Sequence, residues 1–455
     1  MNNSSNTPHR PDSLTGAIAA FEGIQEACTI LNGPIGCKFY TAYMASMLVS
    51  RHKTGETDFF EEFYFGQPRI PCTYIDEQDF VYGSELKVAQ ALKYVELKKP
   101  GLIGVINHSG ISIIGDNLTQ IIHDANIKTP AVAIDSAGFT GTYAAGFQNA
   151  VIKILGCVIN NKNGQKMPRT VNIIGSTIFH YNWENDIAEI KRTLDLLGVK
   201  TISAICTFES MSNMQKVGQA ELNLVLNEEY GNKIATYLEK EYGIPYICLN
   251  LQAPYGLSAS EKWFSAVADF FGLSSKVITV EYGRVRQKCR NALLSVSSSA
   301  NDLRGTPFAI FGDSSQVYAL MTFFYEYLGL LPVVLGVKEV GAENFECLKN
   351  YVAQNLPNTA LLVNPDQYEL IDCFNQTMPY LLFGSSIEKN ISLTFQKPPQ
   401  FIPITFPYYE KTILTHRPIV GFNGVLTIVE DIINAIAYAK HRFEDEDKSC
   451  PIKDA

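Results

Sequence analysis

The stretch TVNIIGSTIFHYNWENDIAEIKRTLDLLGVKTISAI, residues 170–205, predicts the fold of this chain. It opens with an apolar run from Val171 that ends in glycine, which is typical of a buried strand. Apolar residues then recur at helical spacing: Ile187, Ile190, Leu194 and Leu197. Gly198 is predicted to end this helix, and a second apolar run starts at Thr201. Strand, helix and strand joined by short connections predict a parallel α/β unit.

The same order recurs along the chain, in residues 221–249 and 307–335. Gly243 and Gly329 are placed to end the two helices. We therefore predict an α/β protein of three Rossmann-like domains, each with a parallel sheet flanked by helices. The predicted domains are 1–165, 166–300, and 301–455 with a C-terminal helix. Their limits follow a polar linker near Asn160–Arg169 and a serine-rich segment near Ser295–Gly305.

Composition narrows the class of protein. The 455 residues are 46% hydrophobic, with 37 basic and 46 acidic side chains, which gives a net charge of −9. No basic run interleaved with aromatics occurs, so nucleic acid is not an expected partner. No strand end carries GxGxxG or a Walker A loop. The polar N-terminus and the lack of a long apolar stretch predict a cytoplasmic protein with no membrane association.

The ten cysteines are scattered, and in a reducing compartment they are core residues or metal ligands. Cys37 is the candidate ligand, in the segment NGPIGCKFY, residues 32–40. It precedes a predicted helix over 38–51, whose N-terminus favours the thiolate that binds iron. Gly33 and Gly36 allow the backbone to approach a bulky inorganic cluster.

A buried cysteine after a glycine turn is the alternative interpretation of Cys37. One thiolate cannot hold a cluster, so other ligands would be needed. The candidates within the chain are Asp12, Cys28, Cys72, His108 and Ser109.

The segment GPIGC, residues 33–37, followed by an aromatic-rich helix, resembles the cluster-binding motif of nitrogenase component 1 proteins. Further segments resemble that family in the same order and span nearly the whole chain. They are TYIDEQDFVYGSE (73–85), SGISIIGDN (109–117), KEYGIPY (240–246), FPYY (406–409) and THRPIVGFNG (415–424).

This resemblance implies an oxidoreductase subunit of the beta-like kind. Nitrogenase beta subunits carry further cluster cysteines where this chain has Asp12 and Ser109, so a standard P-cluster is not expected. The pattern is similar to beta-like chains that give one ligand to a four-iron cluster. Cys37 would be that ligand, and an alpha-like partner would supply three cysteines. An ATP-hydrolysing iron protein would donate electrons, and the complex would be a heterotetramer.

The resemblance also bears on the nitrogenase active-site cofactor. Asn227 and His416 do not supply the ligands with which alpha subunits hold it, so we do not expect this chain to bind it. Two alternatives stay open: a non-catalytic scaffold for assembly of the iron–molybdenum cofactor, and a binding module that has lost its metal chemistry.

The remaining candidate residues are expected to have structural roles. Asp12 should cap the helix that follows it, and Asp116 should cap the helix that begins at Leu118. His108 is expected to be a satisfied polar residue near a subunit interface. Several cysteines are expected in the core: Cys28, Cys72, Cys157, Cys206 and Cys248.

Overall fold

The computed structural model describes residues 11–34, 36, 70–135, 141–159, 164–248, 252–295, 303–409 and 412–448, with side chains up to residue 438. Three sheets, of three, four and five strands, occur in these ranges. The strands in each sheet pair in parallel. The predicted α/β class, with parallel sheets flanked by helices, is confirmed. The domain limits stay predictions, and the limit at 300/301 lies outside the described residues.

The first sheet has the order β1-β2-β3. Its strands are β1 (Ala27–Asn32), β2 (Leu102–Asn107) and β3 (Ala131–Ile134). Its helices are α1 (Ser13–Glu22), α2 (Glu77–Tyr82), α3 (Glu85–Glu96), α4 (Leu118–Asp124) and α5 (Tyr143–Val158), with a 3-10 turn at Ile111–Ile113. A Cβ on Gly16 would lie 2.0 Å from the Tyr143 carbonyl oxygen, and one on Gly146 would lie 2.0 Å from that of Ser13. Only glycines therefore allow α1 and α5 to pack this closely.

The second sheet, of order β5-β4-β6-β7, contains the segment that predicted the fold. Its strands are β4 (Thr170–Ile174), β5 (Lys200–Ala204), β6 (Leu222–Val225) and β7 (Tyr246–Ile247). Its helices are α6 (Trp183–Leu196), α7 (Met211–Met214), α8 (Glu228–Tyr242), α9 (Leu257–Phe270) and α10 (Lys276–Ser295). Gly198 and Gly243 have φ of +76° and +62° beyond the ends of α6 and α8, as predicted.

The third sheet has the order β10-β9-β8-β11-β12. Its strands are β8 (Pro307–Gly312), β9 (Leu331–Val337), β10 (Ala360–Val363), β11 (Leu381–Gly384) and β12 (Gln400–Pro403). Its helices are α11 (Ser314–Thr322), α12 (Ala342–Asn355), α13 (Gln367–Thr377), α14 (Ser386–Ser392) and α15 (Gly421–Lys448). The predicted helix up to Leu328 differs in its last turn, because Phe323–Leu328 is a π-helix.

Buried carboxylates join the second and third sheets. Glu228, at the start of α8, accepts hydrogen bonds from the backbone N–H groups of Glu343 and Asn344 at 3.0 and 2.9 Å. The next residue, Glu229, accepts from the Ser315 backbone N–H and hydroxyl, both at 2.7 Å. Two adjacent residues thus bind the N-termini of α12 and α11, where unpaired N–H groups favour a carboxylate.

Among the helices that the structure describes, none combines the length and apolar character needed to cross a bilayer.

Candidate functional site

Cys37 and its predicted helix over 38–51 lie outside the described residues, but the chain leading to them is described. Strand β1 ends at Asn32, and Gly33 follows it at the carboxyl edge of the first sheet. A Cβ on Gly33 would lie 3.0 Å from the His108 Cβ, whereas one on Gly36 would meet no atom of the described residues within 4 Å. The backbone is therefore tightly packed at Gly33.

A buried polar network holds the start of this segment. The Asn32 side-chain amide donates to Ser84 Oγ at 3.0 Å and to Asn107 Oδ1 at 2.8 Å. Its carbonyl oxygen accepts from the Thr73 hydroxyl at 2.8 Å, and Thr73 Oγ1 in turn accepts from the Gly33 N–H at 3.1 Å. Both donors of the Asn32 amide and its acceptor are thus satisfied, which fixes the backbone at Gly33.

Cys72 is buried against the same glycine, as predicted for a core cysteine. Its thiol donates to the Gly33 carbonyl oxygen at 2.7 Å, and its sulfur accepts from the Tyr74 N–H at 3.3 Å. Cys28 lies near the opposite end of β1, half-buried in the core under α3. At about 3.3 Å per residue, it is roughly 16 Å along the strand from Gly33. Cys28 is therefore too far from Gly33 to share a metal site there.

Asp116 does not cap the helix that begins at Leu118, so that prediction was wrong. Asn117 is the cap, and its side chain accepts from the Gln120 N–H at 3.1 Å. The Asp116 carboxylate instead accepts from the backbone N–H of Ser84 at 2.8 Å and from its hydroxyl at 2.5 Å. It connects the turn between α2 and α3 to the loop after β2.

Asp12 and His108 both lie near this edge of the sheet. Asp12 caps α1 as predicted, because its Oδ1 accepts from the Thr15 N–H at 3.0 Å. His108 follows β2 directly, and burial lowers the pKa of its imidazole, while the nearby Asp12 carboxylate opposes that shift. Ser109, the next residue, is half-buried. The proximity of His108 to a subunit interface stays a prediction.

The other cysteines differ in how deeply they are buried. Cys206 and Cys248 are buried as predicted, but Cys157 is exposed and that prediction was wrong. The apolar run around Cys157 forms the long helix α5, in which Ile154 and Val158 face the core and Cys157 faces outward. Within the described ranges, no group of three or more His, Cys, Asp or Glu side chains is arranged to hold a metal ion.

A set of exposed apolar side chains, here called the α2 patch, was not predicted from the sequence. Helix α2 has no buried residue. The patch lies on α2, the start of α3 and the turn after β2, elements that meet at the Ser84–Asp116 hydrogen bonds. Its members and exposed fractions are Phe80 (52%), Val81 (73%), Tyr82 (87%), Leu86 (80%) and Ile113 (87%). Exposed apolar side chains that lie on neighbouring elements can mark an interaction site.

The chain matches one known protein family over most of its length. The family model described as Nitrogenase component 1 type Oxidoreductase matches residues 13–437. This chain belongs to that family. The resemblance inferred from the motifs is therefore confirmed.

Relatives of several kinds occur within the family. The nitrogenase iron-molybdenum cofactor biosynthesis protein NifE of Methanococcus maripaludis is 26% identical over 383 residues, 83% of this chain and 75% of that protein. The nitrogenase molybdenum-iron protein beta chain of the same species is 24% identical over 470 residues, 94% of each chain. The alpha chain of Methanothermobacter marburgensis is 22% identical over 444 residues, 95% of this chain and 90% of that one.

A solved structure shares the fold. The chain titled Nitrogenase Cp1 at pH 6.5 superimposes with a TM-score of 0.78 and 21% identity, covering 100% of this chain and 96% of that one. The three parallel sheets are thus the fold of nitrogenase component 1 proteins.

We predict that neither Asp12 nor Ser109 binds metal in this family member. Asp12→Ala should cost about 1 kcal/mol of stability through loss of the α1 cap. Ser109→Ala should have a smaller effect. Both variants should keep wild-type iron and sulfide content in the complex with the partner chain, because oxygen ligands match iron–sulfur clusters poorly. A changed electron paramagnetic resonance spectrum in either stable variant would identify a ligand.

Proposed function

We propose that this chain is the beta-like subunit of a nitrogenase-like oxidoreductase, in which Cys37 binds one iron of a 4Fe-4S cluster shared with an alpha-like subunit. One observation carries the proposal: this member of the family has the sequence GPIGC over residues 33–37, whose first residue, Gly33, follows β1 directly, and it has oxygen side chains at Asp12 and Ser109. Only one of these three positions then offers the soft sulfur ligand that such clusters require.

The described residues that lead to Cys37 do not exclude a group of this size. None of them would meet a Cβ on Gly36 within 4 Å, and the packing at Gly33 fixes the turn after β1. The Asn32 network holds this turn rigidly, which limits reorganisation around the metal. When bound, a cluster of this type supplies a one-electron relay. The three remaining ligands would come from the alpha-like partner, so the cluster requires both chains. The expected assembly is a heterotetramer in the cytoplasm.

We propose that the α2 patch is covered by a protein partner when the complex is active. Helix α2 begins two residues after Ile75, whose N–H donates to the Gly33 carbonyl oxygen at 3.3 Å, so a partner seated on α2 would cover the cluster region from water. In this proposal the alpha-like subunit contacts the cluster side, and the ATP-hydrolysing iron protein docks on α2 to deliver electrons. Burial of aromatic side chains such as Tyr82 would contribute most of the affinity.

Tyr82→Ser tests the patch, because it removes a large exposed ring without disturbing the core. We expect binding of the iron protein to the assembled complex to weaken at least tenfold, with cluster content unchanged. Tyr438→Ser is the matched control, since Tyr438 is also exposed (75%, against 87% for Tyr82) but lies on α15. Binding that falls equally in both variants, or in neither, would contradict a docking role for the α2 patch.

A scaffold for cofactor assembly is the second candidate. The observation that favours it is the relative named as a cofactor biosynthesis protein, 26% identical over 83% of this chain. A scaffold would contain the same shared cluster, so cluster content does not separate the two functions.

The deciding experiment uses the complex coexpressed with its alpha-like partner. An oxidoreductase should accept electrons from the iron protein with ATP and turn over repeatedly on a small reducible substrate. A scaffold should instead release a bound metal cofactor to an acceptor protein. A complex purified without iron or sulfide would contradict both functions and favour the binding module.

A further inference from the structure

A cavity of about 380 Å³ lies between helix α9 and the helices α11 and α12. The π-helix Phe323–Leu328, which continues α11, forms part of its wall. Single π-helical turns occur frequently at functional sites. The volume is within the range of small-molecule binding sites. All of the lining residues lie between residues 252 and 351, so the cavity shares no residue with the segment that leads to Cys37.

The wall on the α9 side is held by a close approach of the backbone. Gly256, directly before α9, has a φ of +84°, and a Cβ at this position would lie 2.7 Å from the Phe323 Cβ. Glycine is therefore required here, both for the left-handed backbone and for the packing against Phe323. In the same loop, the Gln252 side-chain amide donates to the Thr322 hydroxyl at 3.0 Å. These contacts fix the loop before α9 against the π-helix, so this wall is formed by the fold itself.

Aromatic rings supply much of the lining. Phe323 and Tyr327 stack, with ring centroids 5.4 Å apart and planes at 26° to each other. The rings of Tyr318 and Tyr351 have centroids 6.4 Å apart and meet at 64°. All four residues line the cavity. Several rings in different orientations around one space are characteristic of sites for organic cations, which are attracted to the electron-rich faces of the rings.

The Glu326 carboxylate adds a negative charge beside two of these rings. The Tyr351 hydroxyl donates to Glu326 Oε1 at 2.6 Å. Burial raises the pKa of Tyr318 and of Tyr351, and the Glu326 carboxylate raises both further. The main influences on these two pKa values include no lysine or arginine of the described residues. The electrostatic potential at the two rings is therefore negative.

The other charged residues that line the cavity are Lys262 and Glu343, and both are exposed. Two carboxylates and one ammonium group leave the lining with a net negative charge. Arg286 on α10 is not part of the lining, and it forms a hydrogen bond with the Tyr327 side chain. The balance of charges at the cavity thus favours a cation over an anion.

We propose that this cavity binds a small organic cation of the alkylammonium kind, whose methyl or methylene groups pack on the aromatic rings while Glu326 balances its charge. This site goes beyond the proposed function and does not depend on it, because the cavity and the proposed cluster site have no residue in common.

Choline and 3,3-dimethyl-1-butanol form a matched pair of probes, because the two molecules share a shape and only choline carries a positive charge. Calorimetric titration of the assembled complex should show saturable binding of choline. The uncharged alcohol should bind at least about tenfold more weakly, since it gains neither the attraction of the rings nor that of the carboxylate. Equal binding of the two probes, or no saturable binding of choline, would overturn the proposal.

Variants assign the binding to this cavity. Glu326→Gln keeps an acceptor for the Tyr351 hydroxyl but removes the charge, so the preference for choline should fall to about threefold or less. Tyr318→Phe keeps the ring and should bind choline as the wild type does, whereas Tyr318→Leu should bind it about fivefold more weakly. Glu346→Gln is the matched control, because it removes an exposed carboxylate of α12 that does not line the cavity. An unchanged preference for choline in Glu326→Gln would contradict the proposal, even if Tyr318→Leu fails to fold.

Discussion

Cys37→Ala should remove the iron–sulfur cluster from the assembled complex. The substitution deletes one of four proposed ligands at a subunit interface, where an open iron site is exposed to solvent and degrades. We expect iron and sulfide to fall to less than about a tenth of the wild-type content, and electron transfer from the iron protein to be lost. The fold should survive, because alanine fits where a cysteine did.

Two further variants sharpen this experiment. Cys157→Ala removes an exposed thiol elsewhere in the chain and should leave iron content and spectrum unchanged. Cys37→Asp replaces the thiolate by a carboxylate and should retain a cluster with an altered potential. Full iron content and an unaltered electron paramagnetic resonance spectrum in Cys37→Ala would show that Cys37 is a core residue and that the ligand assignment is wrong.

Glu229→Ala should weaken the junction between the second and third sheets more than any surface change. The Glu229 side chain is buried and accepts from both the backbone N–H and the hydroxyl of Ser315, besides the Ser314 hydroxyl. Its removal leaves buried donors unpaired, at a cost of about 3 kcal/mol. Hydrogen exchange at the Ser315 amide should accelerate about a hundredfold, and the thermal midpoint should fall.

Matched variants separate the hydrogen bonds from general effects on α8. Glu229→Gln keeps an acceptor oxygen for the Ser315 N–H and should lose less protection than Glu229→Ala. Glu239→Ala removes an exposed carboxylate from the same helix and should leave exchange unchanged. Unaltered exchange at Ser315 in Glu229→Ala would mean that Glu229 does not stabilise this junction.

Local patterns in the sequence were sufficient to predict the elements of the fold. The alternation of apolar runs and amphipathic helices predicted parallel sheets, because the spacing of apolar residues reports which element they form. Gly198, Gly243 and Gly329 marked helix ends correctly, since each is needed for a left-handed backbone at its own position. Asp12 was predicted correctly for a similar reason: its partner, Thr15, is only three residues away.

Part of the candidate site could also be predicted. The motif over residues 33–37 was identified from the sequence, and the structure places its first residue, Gly33, directly after β1. The role of Cys37 stays a prediction, because it lies outside the described residues. The family resemblance came from motifs in their order along the chain. The helix periodicity that exposes Cys157 could have been used in advance, since Ile154 and Val158 already define the buried face of α5.

Tertiary structure alone decided which distant residues meet. Asp116 pairs with Ser84, 32 residues away, and Cys72 with Gly33, 39 residues away. The α2 patch is exposed because no described element covers it. Sequence spacing determines contacts within one helix or turn, where the chain itself fixes the distance. Contacts between elements depend on how their buried faces pack, which no local pattern encodes.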